Sequence, residues 1–117
     1  MTTLLIVEDD ALIREMMDIT LSQAGYGIVA VGSGQSALEV LGRLRIDLVL
    51  LDVHMPEMSG LDVLAAMRRM GGTMPPVLMV TANRNADTVQ EAMRLGCVGY
   101  VAKGGTRLGV RPRQIRL

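Results

Sequence analysis

The sequence predicts an α/β fold in which a parallel sheet carries helices on both faces, and two observations predict it. Short, wholly apolar runs of strand length alternate along the chain with longer segments patterned at helical spacing, the order expected of a buried parallel sheet. Several of those runs also stop abruptly at polar residues. Leu4-Leu5-Ile6-Val7 ends at Glu8-Asp9-Asp10, Leu48-Val49-Leu50-Leu51 at Asp52, Val77-Leu78-Met79-Val80 at Thr81, and Tyr100-Val101-Ala102 at Lys103. In a parallel sheet such ends all emerge on the carboxyl edge, where open α/β sheets bind ligands. An acidic cluster, a lone Asp, a Thr and a Lys therefore converge on one crevice, a set fit to hold a divalent cation and a phosphoryl group.

The elements follow in order. Residues 4–7 form the first strand. Asp10 can cap a helix running to about residue 24, with Leu12, Ile13, Met16, Met17, Ile19, Thr20 and Leu21 at helical spacing and Gly25 ending it as a C-cap glycine would. Residues 28–31 form the second strand. Ser33 or Ser36 starts a second helix through Ala37, Leu38, Val40, Leu41 and Leu44. Residues 48–51, the most apolar run, form a third strand that belongs at the centre of the sheet. His54-Met55-Pro56-Glu57-Met58-Ser59-Gly60 is a loop, in which Ser59 with Asp62 resembles a capping box with a short Asp where Glu is usual. The third helix runs to about Met70 and stops at Gly71-Gly72. Pro75-Pro76 introduces the fourth strand, residues 86–95 make a fourth helix ended by Gly96, and residues 99–102 the fifth strand.

Bulk composition narrows the function. The 117 residues, half of them apolar, make one domain with room for a real core. A formal net charge of zero gives no global attraction to nucleic acid or anionic lipid. No apolar run approaches the roughly 20 residues of a membrane span, and no basic stretch precedes an apolar one at the N-terminus, so neither a membrane anchor nor a signal peptide is expected. Cys97 is the only cysteine, which excludes an internal disulfide, fits a reducing cytoplasm and reads as a small buried apolar residue. Ten methionines with no Phe or Trp give an aliphatic core in which Met fills irregular space.

The segments Val7-Glu8-Asp9-Asp10, Leu51-Asp52-Val53-His54-Met55-Pro56 with Gly60, Val80-Thr81-Ala82 and Tyr100-Val101-Ala102-Lys103 occur in that order. Together, over residues 1–103, they resemble the receiver domain of two-component response regulators. The resemblance implies a flavodoxin-like three-layer sandwich whose five-stranded parallel sheet has the order 2-1-3-4-5. It implies that Asp52 takes a phosphoryl group from a histidine kinase or a histidine phosphotransfer protein and becomes an aspartyl phosphate. It assigns Mg2+ to Asp9 and Asp52, with Glu8 acting directly or through water and the backbone carbonyl of His54 as a further ligand. Thr81 would hydrogen-bond the phosphoryl oxygens, Lys103 would pair with the Asp52 carboxylate or the phosphoryl group, and Tyr100 would swing inward when Thr81 moves. His54 and Asn83 fall at variable positions that tune phosphoryl lifetime.

Elementary chemistry agrees with these roles. Mg2+ favours octahedral oxygen coordination, usually one or two carboxylates with phosphate and water. Phosphoryl transfer is mainly positioning and charge neutralisation, and a carboxylate nucleophile is established chemistry. Asp10 reads instead as a helix cap favoured by the dipole, and the lone His54 as a solvent-facing side chain rather than a zinc ligand. A phosphatase of the haloacid dehalogenase type would need a second acid two residues after its nucleophile, where this chain has His54.

The chain departs from the family after Lys103. Gly104 stands where receivers usually carry proline with a cis bond. A non-proline cis peptide costs about 2.5–4 kcal/mol, so a trans Lys103–Gly104 peptide and a looser Lys103 are expected. Residues 104–117 hold Gly104, Gly105, Gly109 and Pro112, which oppose a long helix, and four arginines with no acid, a local charge of about +4. The last helix is therefore expected to be absent or irregular. Uncovering about four aliphatic side chains would cost on the order of 6–12 kcal/mol, so a second copy of the chain is expected to cover that face. The rival is irregular packing of the tail through Leu108, Val110, Ile115 and Leu117.

The reading is a receiver domain over 1–103 with an atypical basic tail over 104–117. It is a cytoplasmic phosphorylation switch, not an enzyme with an external substrate, and its only turnover is self-phosphorylation and autodephosphorylation at Asp52. Output is expected through an unidentified downstream protein at the surface near Thr81, the fourth helix and Tyr100, with no direct contact to nucleic acid or membrane. The alternative is a receiver-like interaction module that works without phosphorylation.

Overall fold

The computed structural model describes residues 1–82 and 86–102. Among them, strands and helices alternate as β1 (Thr3–Val7), α1 (Ala11–Gln23), β2 (Gly27–Val31), α2 (Gly34–Leu41), β3 (Leu48–Asp52), α3 (Gly60–Met70), β4 (Val77–Thr81), α4 (Ala86–Arg94) and β5 (Gly99–Ala102). All strand pairs are parallel, in the order β2-β1-β3-β4-β5. The flavodoxin-like order is thus present, and the most apolar strand, β3, lies at its centre.

Alternation along the strands divides the core into two layers. Leu5, Val7, Val49, Leu51, Val77 and Met79 face α2, α3 and α4 and pack with Ala37, Val63, Leu64, Met67 and Ala92. Leu4, Ile6, Leu48, Leu50, Leu78, Val80 and Val101 face the other way and pack with Met17 and Leu21 of α1. Leu50 and Leu51 are both fully buried, and burying each side chain contributes about 1.5–3 kcal/mol. Met17, Met67 and Met79 are buried, whereas Met70 and Met93 are about half exposed, so the methionines divide between core and surface.

Local signals set the helix ends. Asp10 caps α1, its Oδ1 accepting from the Leu12 and Ile13 amides at 3.0 Å. Ser33, not Ser36, caps α2. Ser59 and Asp62 form both bonds of a capping box, Asp62 N to Ser59 Oγ at 3.2 Å and Ser59 N to Asp62 Oδ2 at 3.0 Å, so the shorter Asp still reaches back. Gly25 (φ 100°) and Gly71 and Gly72 (φ 72° and 73°) take the left-handed conformations that end α1 and α3. One element is shorter than expected. Helix α2 stops at Leu41 with Gly42 as its cap, and Leu44 is 51% exposed. Ile46 supplies the apolar anchor instead, buried as the chain turns into β3.

Asn83, Lys103, the Lys103–Gly104 peptide and the tail lie outside the described residues. So do the expectations built on them, a last helix absent or irregular and a second copy covering what it leaves.

Gly60 sets the distance between α3 and the end of β3. Its amide donates to Val53 O at 2.8 Å, and a Cβ there would collide with the carbonyl oxygen of Asp52. Backbone on both sides cannot yield cheaply, so Gly60→Ala is expected to lose about 3 kcal/mol of stability, measured by urea unfolding. A loss below 1 kcal/mol would show that this contact relaxes freely.

Candidate functional site

The parallel register places the polar residues together. Val7 pairs with Leu51 and Asp52 with Val80, so β1 and β3 run out side by side and Thr81 ends the next strand. Glu8 is buried and Asp52 is 4% exposed, whereas Asp9 is exposed. One carboxylate oxygen from each of Glu8, Asp9 and Asp52 lies within 4.8 Å of the others. Asp10 is not in this group, because its carboxylate caps α1.

The surrounding backbone holds the cluster. Glu8 N donates to Val31 O at 3.1 Å, and Glu8 Oε2 accepts from Asp10 N at 3.1 Å. Asp52 Oδ1 accepts from His54 N at 3.4 Å, while the His54 side chain is exposed as expected. Three carboxylates this close repel one another, and a divalent cation is the natural counter-charge. The donor set is all oxygen, which fits a hard cation and not a thiophilic one.

Thr81 and Tyr100 face a common space. With Val53, Met79, Thr88 and Ala92 they line a narrow apolar cleft between α4 and the sheet, with room of only about 10 Å³. Thr81 is 2% exposed and Tyr100 40%, so the ring stands at the surface end of that space. Cys97 lines it too. Its thiol is buried, lies 3.6 Å from Met93 Sδ, and is pushed above the ordinary cysteine value by burial, against a lowering backbone hydrogen bond from Gly99. Ala102 pairs with Thr81, which makes Lys103 the next residue along the chain, outside the described set.

One neighbour of the cluster was not singled out from the sequence. Arg14 of α1 turns back so that Nη1 donates to the carbonyl oxygens of Glu8 at 2.8 Å and Asp9 at 3.4 Å. An arginine on a helix face carries no such signal by itself. Only the fold shows the turn it reaches.

A family model described as the response regulator receiver domain matches residues 4–108. The chain belongs to this family. Among solved structures the receiver is similar to chemotaxis protein CheY4 of Vibrio cholerae, with 31% identity, a TM-score of 0.83, and coverage of 91% of this chain and 89% of that one. It is also similar to the response regulator TrrA of Thermotoga maritima, solved in complex with Mg2+ and BeF, with 29% identity, a TM-score of 0.80 and coverage of 91% and 90%. In sequence it is 37% identical over 100 residues to the DNA-binding response regulator MtrA of Mycolicibacterium paratuberculosis, covering 86% of this chain and 44% of MtrA. The receiver spans less than half the length of the curated relatives it matches. No described helix is long and apolar enough to cross a membrane.

Two outcomes follow from the site's charge and burial. In chelator, Asp52→Asn is expected to raise the thermal midpoint, by roughly 1 kcal/mol of relieved repulsion, and added Mg2+ should then stabilise the wild type more than the variant. Scanning calorimetry decides this, and an unchanged midpoint would mean the carboxylates do not strain the fold. Iodoacetamide at pH 8 should label Cys97 more slowly than free cysteine, because burial keeps the thiol protonated, with normal labelling restored in urea. Fast labelling of the folded protein would contradict the burial.

Proposed function

We propose that this receiver is a phosphorylation-dependent switch whose acceptor is Asp52. The P–N bond of a phosphohistidine on a histidine kinase or histidine phosphotransfer protein breaks, a P–O bond to an Asp52 carboxylate oxygen forms, and the released imidazole nitrogen takes up a proton. The observation that carries this reading is the convergence of Glu8, Asp9 and Asp52, with carboxylate oxygens within 4.8 Å, at the carboxyl edge of the sheet. Glu8, Asp9, Asp52 and the backbone carbonyl of His54 would hold Mg2+, which when bound neutralises charge on the carboxylates and the transferring group. The Mg2+ and BeF found with TrrA support that choice of ion.

Thr81 donates its hydroxyl to the phosphoryl oxygens, and Lys103 supplies the balancing positive charge. Tyr100 reports the change by swinging inward when Thr81 moves, which biases a two-state surface formed by α4 and β5. Met93 and Val98, 51% and 62% exposed, give that surface an apolar character fit for a protein partner. The phosphodonor docks on α1, where Leu12, Met16 and Ile19 are 66%, 38% and 50% exposed on the helix that starts at the acidic cluster. The domain works in the cytoplasm, contacts neither membrane nor nucleic acid directly, and turns over only its own phosphoryl group by self-phosphorylation and autodephosphorylation.

The test is incubation with Mg2+ and acetyl phosphate followed by intact mass spectrometry. A phosphoryl adduct is expected on the wild type, lost in chelator and in Asp52→Asn. No adduct on a folded wild type would overturn the switch and leave the receiver as a phosphorylation-independent interaction module.

A further inference from the structure

We propose that Arg14 is a positioning residue for the cation site, an inference that rests on the metal-binding reading of Glu8, Asp9 and Asp52. Arg14 stands in the first turns of α1, yet its guanidinium reaches back over the turn between β1 and α1. Nη1 donates to the main-chain oxygens of Glu8 at 2.8 Å and Asp9 at 3.4 Å. The end of β2 makes room for it. A Cβ on Gly32 would come within 2.9 Å of Nη1.

The choice of acceptor matters. An arginine bonded to the carboxylates would compete with a cation for their oxygens. Bonded to the carbonyls of the same two residues, it fixes the turn without itself taking a carboxylate oxygen. Glu8 is then held at its amide by Val31 O, at Oε2 by Asp10 N and at its carbonyl by Arg14. Asp9, whose side chain is exposed, takes its restraint from Arg14 at the carbonyl. Charge-assisted bonds are the strong ones, and groups that orient metal ligands typically contribute 10–100-fold in affinity.

The consequence opposes simple electrostatics. Removing a positive charge beside a cation site should tighten cation binding. Removing a positioning group should weaken it. Titration calorimetry of the full chain with MgCl2 separates the two, with circular dichroism and the thermal midpoint in chelator reporting the fold. Arg14→Ala is expected to weaken Mg2+ about tenfold, and Arg14→Lys to recover part of the loss. Gly32→Ala, which displaces the guanidinium without touching a ligand, should weaken binding by a smaller factor. Arg69→Ala, on the exposed end of α3, should leave it unchanged. Equal or tighter binding by folded Arg14→Ala, even with a lowered midpoint, would overturn the proposal and leave Arg14 a structural residue. A folded wild type that binds no Mg2+ would instead sink the metal-site reading itself, and this inference with it.

Discussion

Strand β3 packs apolar side chains on both faces of the sheet, Leu48 and Leu50 toward α1, Val49 and Leu51 toward α2, α3 and α4, and a strand so placed cannot slide. Because side chains alternate with a period of two, a slip of one residue would exchange the two layers and turn every packed contact to the wrong face. The register on either side is therefore fixed by burial. Val7 must lie beside Leu51, and Val80 beside Asp52. The meeting of Glu8 and Asp9 with Asp52 is a consequence of where these apolar runs end, not of any attraction among carboxylates, which repel.

That repulsion is tolerated because the core holds the strands from below and the turns hold them from above. Asp10 is consumed as the cap of α1, which starts the helix at the residue that keeps the turn short. Gly60 lets the loop after β3 return to the back of Asp52. Arg14 closes the first turn from the helix side. The turns that carry the site are thus held by main-chain bonds. Thr81 and Tyr100 end or occupy adjacent strands, and the cleft between them is lined in part by the core residues Val53, Met79, Ala92 and Cys97.

Much of this was legible in the sequence because it depends on patterns one element long. Abrupt changes from apolar run to Glu8, Asp52 and Thr81 mark strand ends to within a residue. Asp10, Ser59 with Asp62, Gly25 and Gly71 mark helix ends through side-chain chemistry that needs no tertiary partner. The extent of α2 was less legible. Leu44 continues the apolar spacing, but the chain spends it at the surface because Ile46 reaches the core from a better position. Arg14 was not legible at all, since its partners are main-chain oxygens that have no sequence signature.

Composition and periodicity by themselves determined the alternating α/β architecture, the central place of β3 and the convergence of acids on one sheet edge, because burial of apolar runs and local capping act over a few residues. Membership of the receiver family followed from four short segments in fixed order, and the match over residues 4–108 agrees with it. Local chemistry likewise set Asp10 apart as the cap of α1, the role it takes through the Leu12 and Ile13 amides. Only the tertiary structure decided how near Glu8, Asp9 and Asp52 approach and that Arg14 holds the main chain of the same turn. Both are set by how β1 leaves the sheet and α1 begins, a geometry that no spacing in the chain encodes.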